Sequence, residues 1–232
     1  MDSGMKYLSS YLVRLFLALT AIFAINLQLS YCKASGYATA QELVAAVTER
    51  ALAVNTLSCD VVQEKHLAML ARPVVFTGRM SVKRPDKLRW EFVKPIPSVF
   101  IINGSRILRC SPDMAPAEFD IASNPVMKQA AVQMLAWVGG DFKSLAGMFR
   151  ISLSSEGTGL VLVPKEMQMS AGITRITVMF DPATLRPATV RIDEQAGDWT
   201  RIVLTNYRIN RVMDRGLFES CHLFTQGLYL TS

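Results

Sequence analysis

The sequence predicts an α+β fold: one strongly curved antiparallel sheet with helices over its concave, apolar face. Three observations predict it. Residues 74–94 alternate apolar and polar with a period of two across a short turn. A second block of short segments follows Ile151, with turn signals at Glu156-Gly157, Asp181-Pro182 and Ala196-Gly197-Asp198, the spacing of an antiparallel meander. Helical spacing is confined to two blocks, one before the first strands and one between the two sheet segments.

The N-terminus reads as a targeting segment. Lys6 and Arg14 precede a run from Leu15 to Leu29 that is apolar apart from Thr20, Asn26 and Gln28. Small residues follow, as at a secretory cleavage site after Ala34 or Ala38. Residues 1–38 are therefore expected to be a signal peptide, and 39–232 one domain. A membrane anchor is the alternative, although the charge-free run 15–32 is marginal for a span. Cys32 follows Leu29-Ser30-Tyr31, which is similar to a bacterial lipobox but has bulky Tyr31 where a small residue is wanted. Cleavage leaves Cys59, Cys110 and Cys221, which allow one disulfide without identifying the pair.

Residues 39–66 read first as a helix. Thr39 and Glu42 have capping-box spacing, and Leu43, Val47, Ala51 and Val54 form a stripe at helical spacing. A break is expected near Asn55–Ser58, and 59–69 is open between helix and strand. Two strands come next. Val74, Phe76, Gly78, Met80 and Val82 share one face against Thr77, Arg79, Ser81 and Lys83, and Pro85-Asp86 makes the turn. Leu88, Trp90 and Phe92 then oppose Arg89, Glu91 and Lys94, which read as a wet face. Val99–Ile102 and Arg106–Cys110 flank Asn103-Gly104, a hairpin signal. Ser111–Asn124, with its two prolines, reads as a loop.

Asn124-Pro125 is a helix start. Met127, Ala130, Ala131, Met134, Leu135 and Val138 give a wide apolar face, with Trp137 at its edge, before Gly139-Gly140 stops the helix. Asp141 is expected to cap a shorter helix bearing Phe142, Leu145, Met148 and Phe149. The strands after it are Ile151–Ser154, Leu160–Val163, Ile173–Phe180, Ala188–Glu194 and Thr200–Tyr207. Roughly nine strands result.

The 232 residues are 50% hydrophobic, enough for a sizeable core, and the net charge of +6 is mild and dispersed. No basic run has the density of a nucleic-acid footprint. There are two histidines, His66 and His222, and no nucleophile elbow, zinc motif or phosphate loop. Asp193 and Glu194 point to opposite faces of a strand. An enzyme, a cofactor and a metal centre are not expected.

Several ordered fragments carry a family resemblance. Val82-Lys83-Arg84-Pro85, followed by Leu88, Trp90 and Pro95, resembles the outer-membrane lipoprotein carrier family (LolA). Gln63-Glu64-Lys65, Gly78, Asn103-Gly104 with Ile107 and Ser111-Pro112, Leu162-Val163-Pro164, and Tyr207-x-x-Asn210 with Leu217-Phe218 resemble its other segments in order. Cys110 stands where an aromatic is common, and Ser220–Ser232 departs from the family's usual end. The resemblance implies an incomplete β-barrel closed by a helical lid, whose apolar cavity holds the acyl chains of a lipoprotein. It implies a periplasmic monomer that receives cargo from an inner-membrane ABC transporter (LolCDE-like) and delivers it to an outer-membrane acceptor (LolB-like). Each buried methylene contributes about 0.8 kcal/mol, so acylated cargo needs a greasy interior and a wet exterior to cross water. Arg84 matches the arginine implicated in lid closure and release. The cavity is expected to involve Phe76, Met80, Val82, Leu88, Trp90, Phe92, Met127, Met134, Leu135 and Phe149.

Other readings remain at this stage. The run Glu64-Lys65-His66-Leu67-Ala68-x-Leu70-x-Arg72-Pro73 is similar to divergent relatives, so the cargo is lipoprotein or another lipid. A lipidated Cys32 would instead indicate an anchored acceptor, and the same scaffold resembles a periplasmic lipoprotein-sensing module.

Overall fold

The computed structural model describes residues 36–112, 114–121, 134–137, 139–166 and 172–221. The leader, Met127, the helix start at Asn124-Pro125 and the tail beyond Cys221 lie outside the described residues.

Helix α1 spans Ala40–Leu52. Thr39 adopts extended angles and its Oγ1 accepts from the Glu42 amide at 3.2 Å, while the Glu42 carboxylate accepts from the Ala38 amide at 3.1 Å. The reciprocal cap satisfies two otherwise free donors at the start of the helix. Leu43, Val44 and Val47 are buried on one side. The helix ends well before residue 66, because the pattern changes from helical to alternating: β1 runs Thr56–His66 with Leu57, Cys59 and Val61 buried. Asn210 holds the junction. Its Oδ1 accepts from the amides of Asn55 (2.8 Å) and Thr56 (3.3 Å), and its Nδ2 donates to the Ala53 carbonyl at 2.8 Å.

Ten more strands follow: β2 (Val74–Lys83), β3 (Lys87–Lys94), β4 (Ser98–Asn103), β5 (Arg106–Ser111), β6 (Met114–Asp120), β7 (Phe149–Leu153), β8 (Gly159–Pro164), β9 (Ile173–Phe180), β10 (Pro187–Glu194) and β11 (Trp199–Ile209). They form one antiparallel sheet in the order β6-β5-β4-β3-β2-β1-β11-β10-β9-β8-β7. Two meanders are thus joined side by side through β1 and β11, and the sheet stays open between edges β6 and β7. This is an incomplete β-barrel with helical segments on its apolar inner face.

The expected nine strands become eleven among the described residues, through β1 and β6. The loop expected at 111–124 contains β6, an edge strand on which only Ala117 and Phe119 are partly buried, too short an alternation to signal a strand; backbone pairing with β5 defines it. Pro116 falls where that register shifts, a position a proline tolerates. The expected helix after Asp141 is a single 3-10 turn, Ser144–Gly147, with Phe149 already in β7. The β4–β5 turn consists of Gly104 and Ser105, one residue later than Asn103-Gly104, with Gly104 at φ 61°.

A larger correction concerns the outer face of β3. Arg89 and Glu91 were expected to be solvated, but both are buried. The chain after β11 crosses this face. Arg89 Nε donates to Glu91 at 3.1 Å, and Arg89 Nη1 donates to the carbonyls of Leu217 (3.2 Å) and Ser220 (3.0 Å). Phe218 packs with Val99, Ile101, Leu108 and Cys110 in a second, small core, and Cys110 is bonded to Cys221. The disulfide pair left open by the sequence is therefore resolved, and Cys59 is a buried free thiol.

Candidate functional site

The main core lies between the inner face of the sheet and the helical segments above it. Strands contribute Val61, Met80, Leu88, Ile102, Leu160 and Ile176, among others; α1, Ala136, Trp137, Phe142 and Leu145 cover them. Alternation explains the sheet side of this arrangement, since every second residue of each strand faces inward.

The sequence-predicted residues fall on this interior to different degrees. Met80, Val82, Leu88, Trp90 and Phe149 are buried in the core, and Phe92, Met134 and Leu135 pack against it partly buried. Phe76 is half-buried, with its ring 5.3 Å from that of Phe92. Met80, Trp90 and Met134 meet Trp137, Pro187, Val190, Ile202 and Leu204 around an apolar void of about 10 Å³. The interior is thus filled by side chains, and no preformed cavity of ligand size lies there among the described residues.

Two donors stand out in this setting. The indole Nε1 atoms of Trp90 and Trp137 are buried without a hydrogen-bond partner among the described residues. One belongs to the sheet and the other to the helical cover, and both residues line the same void. A buried N–H left unpaired costs about 1–3 kcal/mol.

Arg84 lies in the β2–β3 turn. Its amide donates to the Asn55 carbonyl at 3.0 Å, and its Nη2 donates to the Gly139 carbonyl. Gly139 and Gly140 end the helical residues that carry Trp137. Gly140 has φ 74°, and a Cβ there would lie 2.6 Å from the Ala51 Cβ, so this turn packs directly on α1. Thr48 Oγ1 of α1 donates to the Gly140 carbonyl at 3.2 Å. The turn is consequently gripped from both sides, by α1 and by the sheet's Arg84.

Beside this turn opens a cleft of about 610 Å³. Val47, Val54, Leu57, Val82, Leu185 and Ile209 supply apolar wall, and Arg50, Arg84 and Arg186 bring positive charge to it. Tyr207 O–H donates to the Pro187 carbonyl at 2.5 Å, and burial raises its pKa well above the ordinary range. Burial, with a smaller contribution from the Asp60 charge, pushes the Cys59 thiol up to about 12. Both stay protonated and neutral, as an apolar interior requires.

The sequence singles out the alternating strands and Arg84, whose side chain reaches the Gly139 carbonyl. Pattern reading misses Thr48, the partner of Gly140, and takes Gly139-Gly140 only as a helix stop. It also misses the covered outer face, although the unbroken run Val99-Phe100-Ile101-Ile102 is the signature of a strand buried on both sides.

The family model for the outer membrane lipoprotein carrier protein LolA matches residues 53–221. The chain is 25% identical over 146 residues to an outer-membrane lipoprotein carrier protein of Coxiella burnetii, a match covering 61% of this chain and 65% of that relative. It is 23% identical over 149 residues to the protein of the same name from Dechloromonas aromatica, covering 64% and 68% respectively. The chain thus spans about two thirds of the length of the curated relatives it matches. Among solved structures, it is similar to a LolA superfamily protein of Nitrosomonas europaea (TM-score 0.42, 10% identity, 79% of this chain and 99% of the other). It is also similar to a chain in the MucA/MucB complex of Pseudomonas aeruginosa (TM-score 0.47, 13% identity, 78% and 60%).

Proposed function

The chain belongs to the LolA family of outer membrane lipoprotein carrier proteins, and from that premise we propose that it is a periplasmic carrier that encloses the acyl chains of lipoproteins between sheet and lid. The observation that carries the reading is the filled apolar interior under a cover latched by Arg84 to Gly139. A carrier without cargo must hide its own acyl site from water, and side chains that fill it do so. Met80 and Met134 suit this role, because an unbranched thioether side chain readily moves between packings.

Loading requires the cover to lift and the cleft beside Arg84 to extend inward. Acyl tails would then replace the contacts that Trp137, Met134 and Phe142 make with the sheet. The two unpaired indole N–H groups support this cargo class: lipid ester and amide carbonyls are acceptors that an all-hydrocarbon filling lacks. Release is the reverse step, driven by re-forming the side-chain core and the Arg84–Gly139 hydrogen bond.

On this reading, the leader is cleaved, cargo arrives from an inner-membrane ABC transporter, and an outer-membrane acceptor receives it. The test is Arg84→Leu. Loading with acylated cargo should be retained, while handover to an acceptor slows by about tenfold, the value of one charge-assisted hydrogen bond of about 1.5 kcal/mol. Equal loss of loading and handover would remove Arg84 from the gate.

A further inference from the structure

Exposed apolar side chains are concentrated at one end of the sheet. Loop 67–73 joins β1 to β2, and loop 95–97 joins β3 to β4. The strand registers Lys65↔Val74 and Thr77↔Lys94 put both loops at the end opposite Arg84. Met69 is 87% exposed and Leu70 39% in the first loop, and Ile96 is 60% exposed in the second. Val75 and Val93, at the strand ends that carry these loops, are exposed as well.

The charges beside these tips are distinctive. Glu64 pairs with Arg201 at 3.7 Å, and Glu194 pairs with Lys65. Asp198 accepts from the Ala68 amide at 2.7 Å. Arg72 and Lys94, which flank the apolar tips, are exposed and form no ion pair or side-chain hydrogen bond among the described residues. The neighbouring carboxylates are therefore occupied, and two cations are free.

We propose that these two loop tips dock the protein on an anionic lipid surface. The proposal rests on the carrier reading for its purpose, since cargo must leave or enter a bilayer, but not for its physics. Single apolar residues at protruding tips enter the headgroup–acyl boundary, and free cations beside them meet lipid phosphates. Docking by this end leaves the Arg84 end, with its cleft, facing away from the bilayer and free to meet a protein partner.

The test is flotation of the processed protein with two kinds of vesicle: phosphatidylethanolamine–phosphatidylglycerol and pure phosphatidylcholine. The protein should bind the anionic vesicles and bind phosphatidylcholine far more weakly. M69D/I96D should lower anionic partitioning by about tenfold or more, because two apolar tips are lost. R72Q/K94Q should lower it by about twenty-five-fold, from about a factor of five for each cation, with little change on phosphatidylcholine. Leu52→Asp, a surface change outside the two loops, should have no effect. No binding to anionic vesicles, or M69D/I96D binding as wild type, would overturn the proposal. So would absent vesicle binding combined with impaired handover in M69D/I96D, which would assign the tips to a protein partner. Binding of a fluorescent acyl probe without vesicles separates the two readings: it should be unchanged in M69D/I96D, and its absence in the wild type would count against the carrier site instead.

Discussion

Cys59 shows how completely the interior excludes water. It is fully buried on β1, and burial pushes its thiol from an ordinary 9.0 up to about 12. The folded state holds this proton more tightly than the unfolded chain does. Its contribution to stability is therefore fully present below pH 9.0 and is lost as pH rises toward 12. Beyond the slope that Tyr207, also raised by burial from an ordinary 10.0, gives in wild type and variant alike, urea unfolding between pH 9 and 10 should show wild-type stability falling by up to about 1.4 kcal/mol per pH unit from Cys59. Cys59→Ala should lack that slope, whatever its overall stability. Identical slopes would mean that the thiol reaches water. At this scale the alternating residues Met80, Val82, Leu88 and Trp90 were legible, because period-two burial follows from strand geometry alone. Arg89 and Glu91 were not, because their burial depends on a segment more than a hundred residues away that alternation cannot reveal.

The element that most changes the sequence reading is the segment after β11. It closes the outer face of β3–β5 with Phe218, with acceptors for Arg89 and with the Cys110–Cys221 bond, which spans 111 residues. Arg106 Nη2 donates to the Glu219 carbonyl at 2.8 Å, and Asn103 Nδ2 donates to the Glu219 carboxylate at 3.1 Å. A cross-link over so long a loop restricts the unfolded chain substantially. C110A/C221A should be destabilised by about 2–5 kcal/mol in denaturant titration, with acyl-probe binding at the inner face retained. Unchanged stability would show that packing of Phe218 and the Arg89 network hold the segment unaided. Among elements, β2, β3, β9 and β10 emerged nearly intact from their patterning and turn residues. Edge strand β6 did not, since Ala117 and Phe119 alone turn partly inward, an alternation too short to stand out in a segment with two prolines. The end of α1 was blurred because Leu57, Cys59 and Val61 continue an apolar run while changing its period.

At the scale of the molecule, an incomplete barrel solves one physical problem. Its meanders meet at β1 and β11, leaving edges β6 and β7 apart and an inner face that helical segments cover without closing the sheet. That architecture was legible from two blocks of alternation separated by helical spacing. What sequence patterns could not show is that the interior is already filled. Side-chain packing across the lid is set by three-dimensional fit, and the same apolar residues would line either an empty cavity or a packed core. On the proposed carrier function the packed interior is the unloaded state, and the hydrogen bonds from Arg84 to Gly139 and from Thr48 to Gly140 would hold it shut.

Native mass spectrometry of the protein purified from its own cells tests the proposed carrier function most directly. A lipoprotein carrier would show a population carrying an added mass equal to an acylated protein, lost in a variant that places a charge in the interior, such as Trp90→Glu. An added mass equal to a small lipid alone would contradict lipoprotein as the cargo, and a protein free of any acyl species under every growth condition would contradict the carrier account itself.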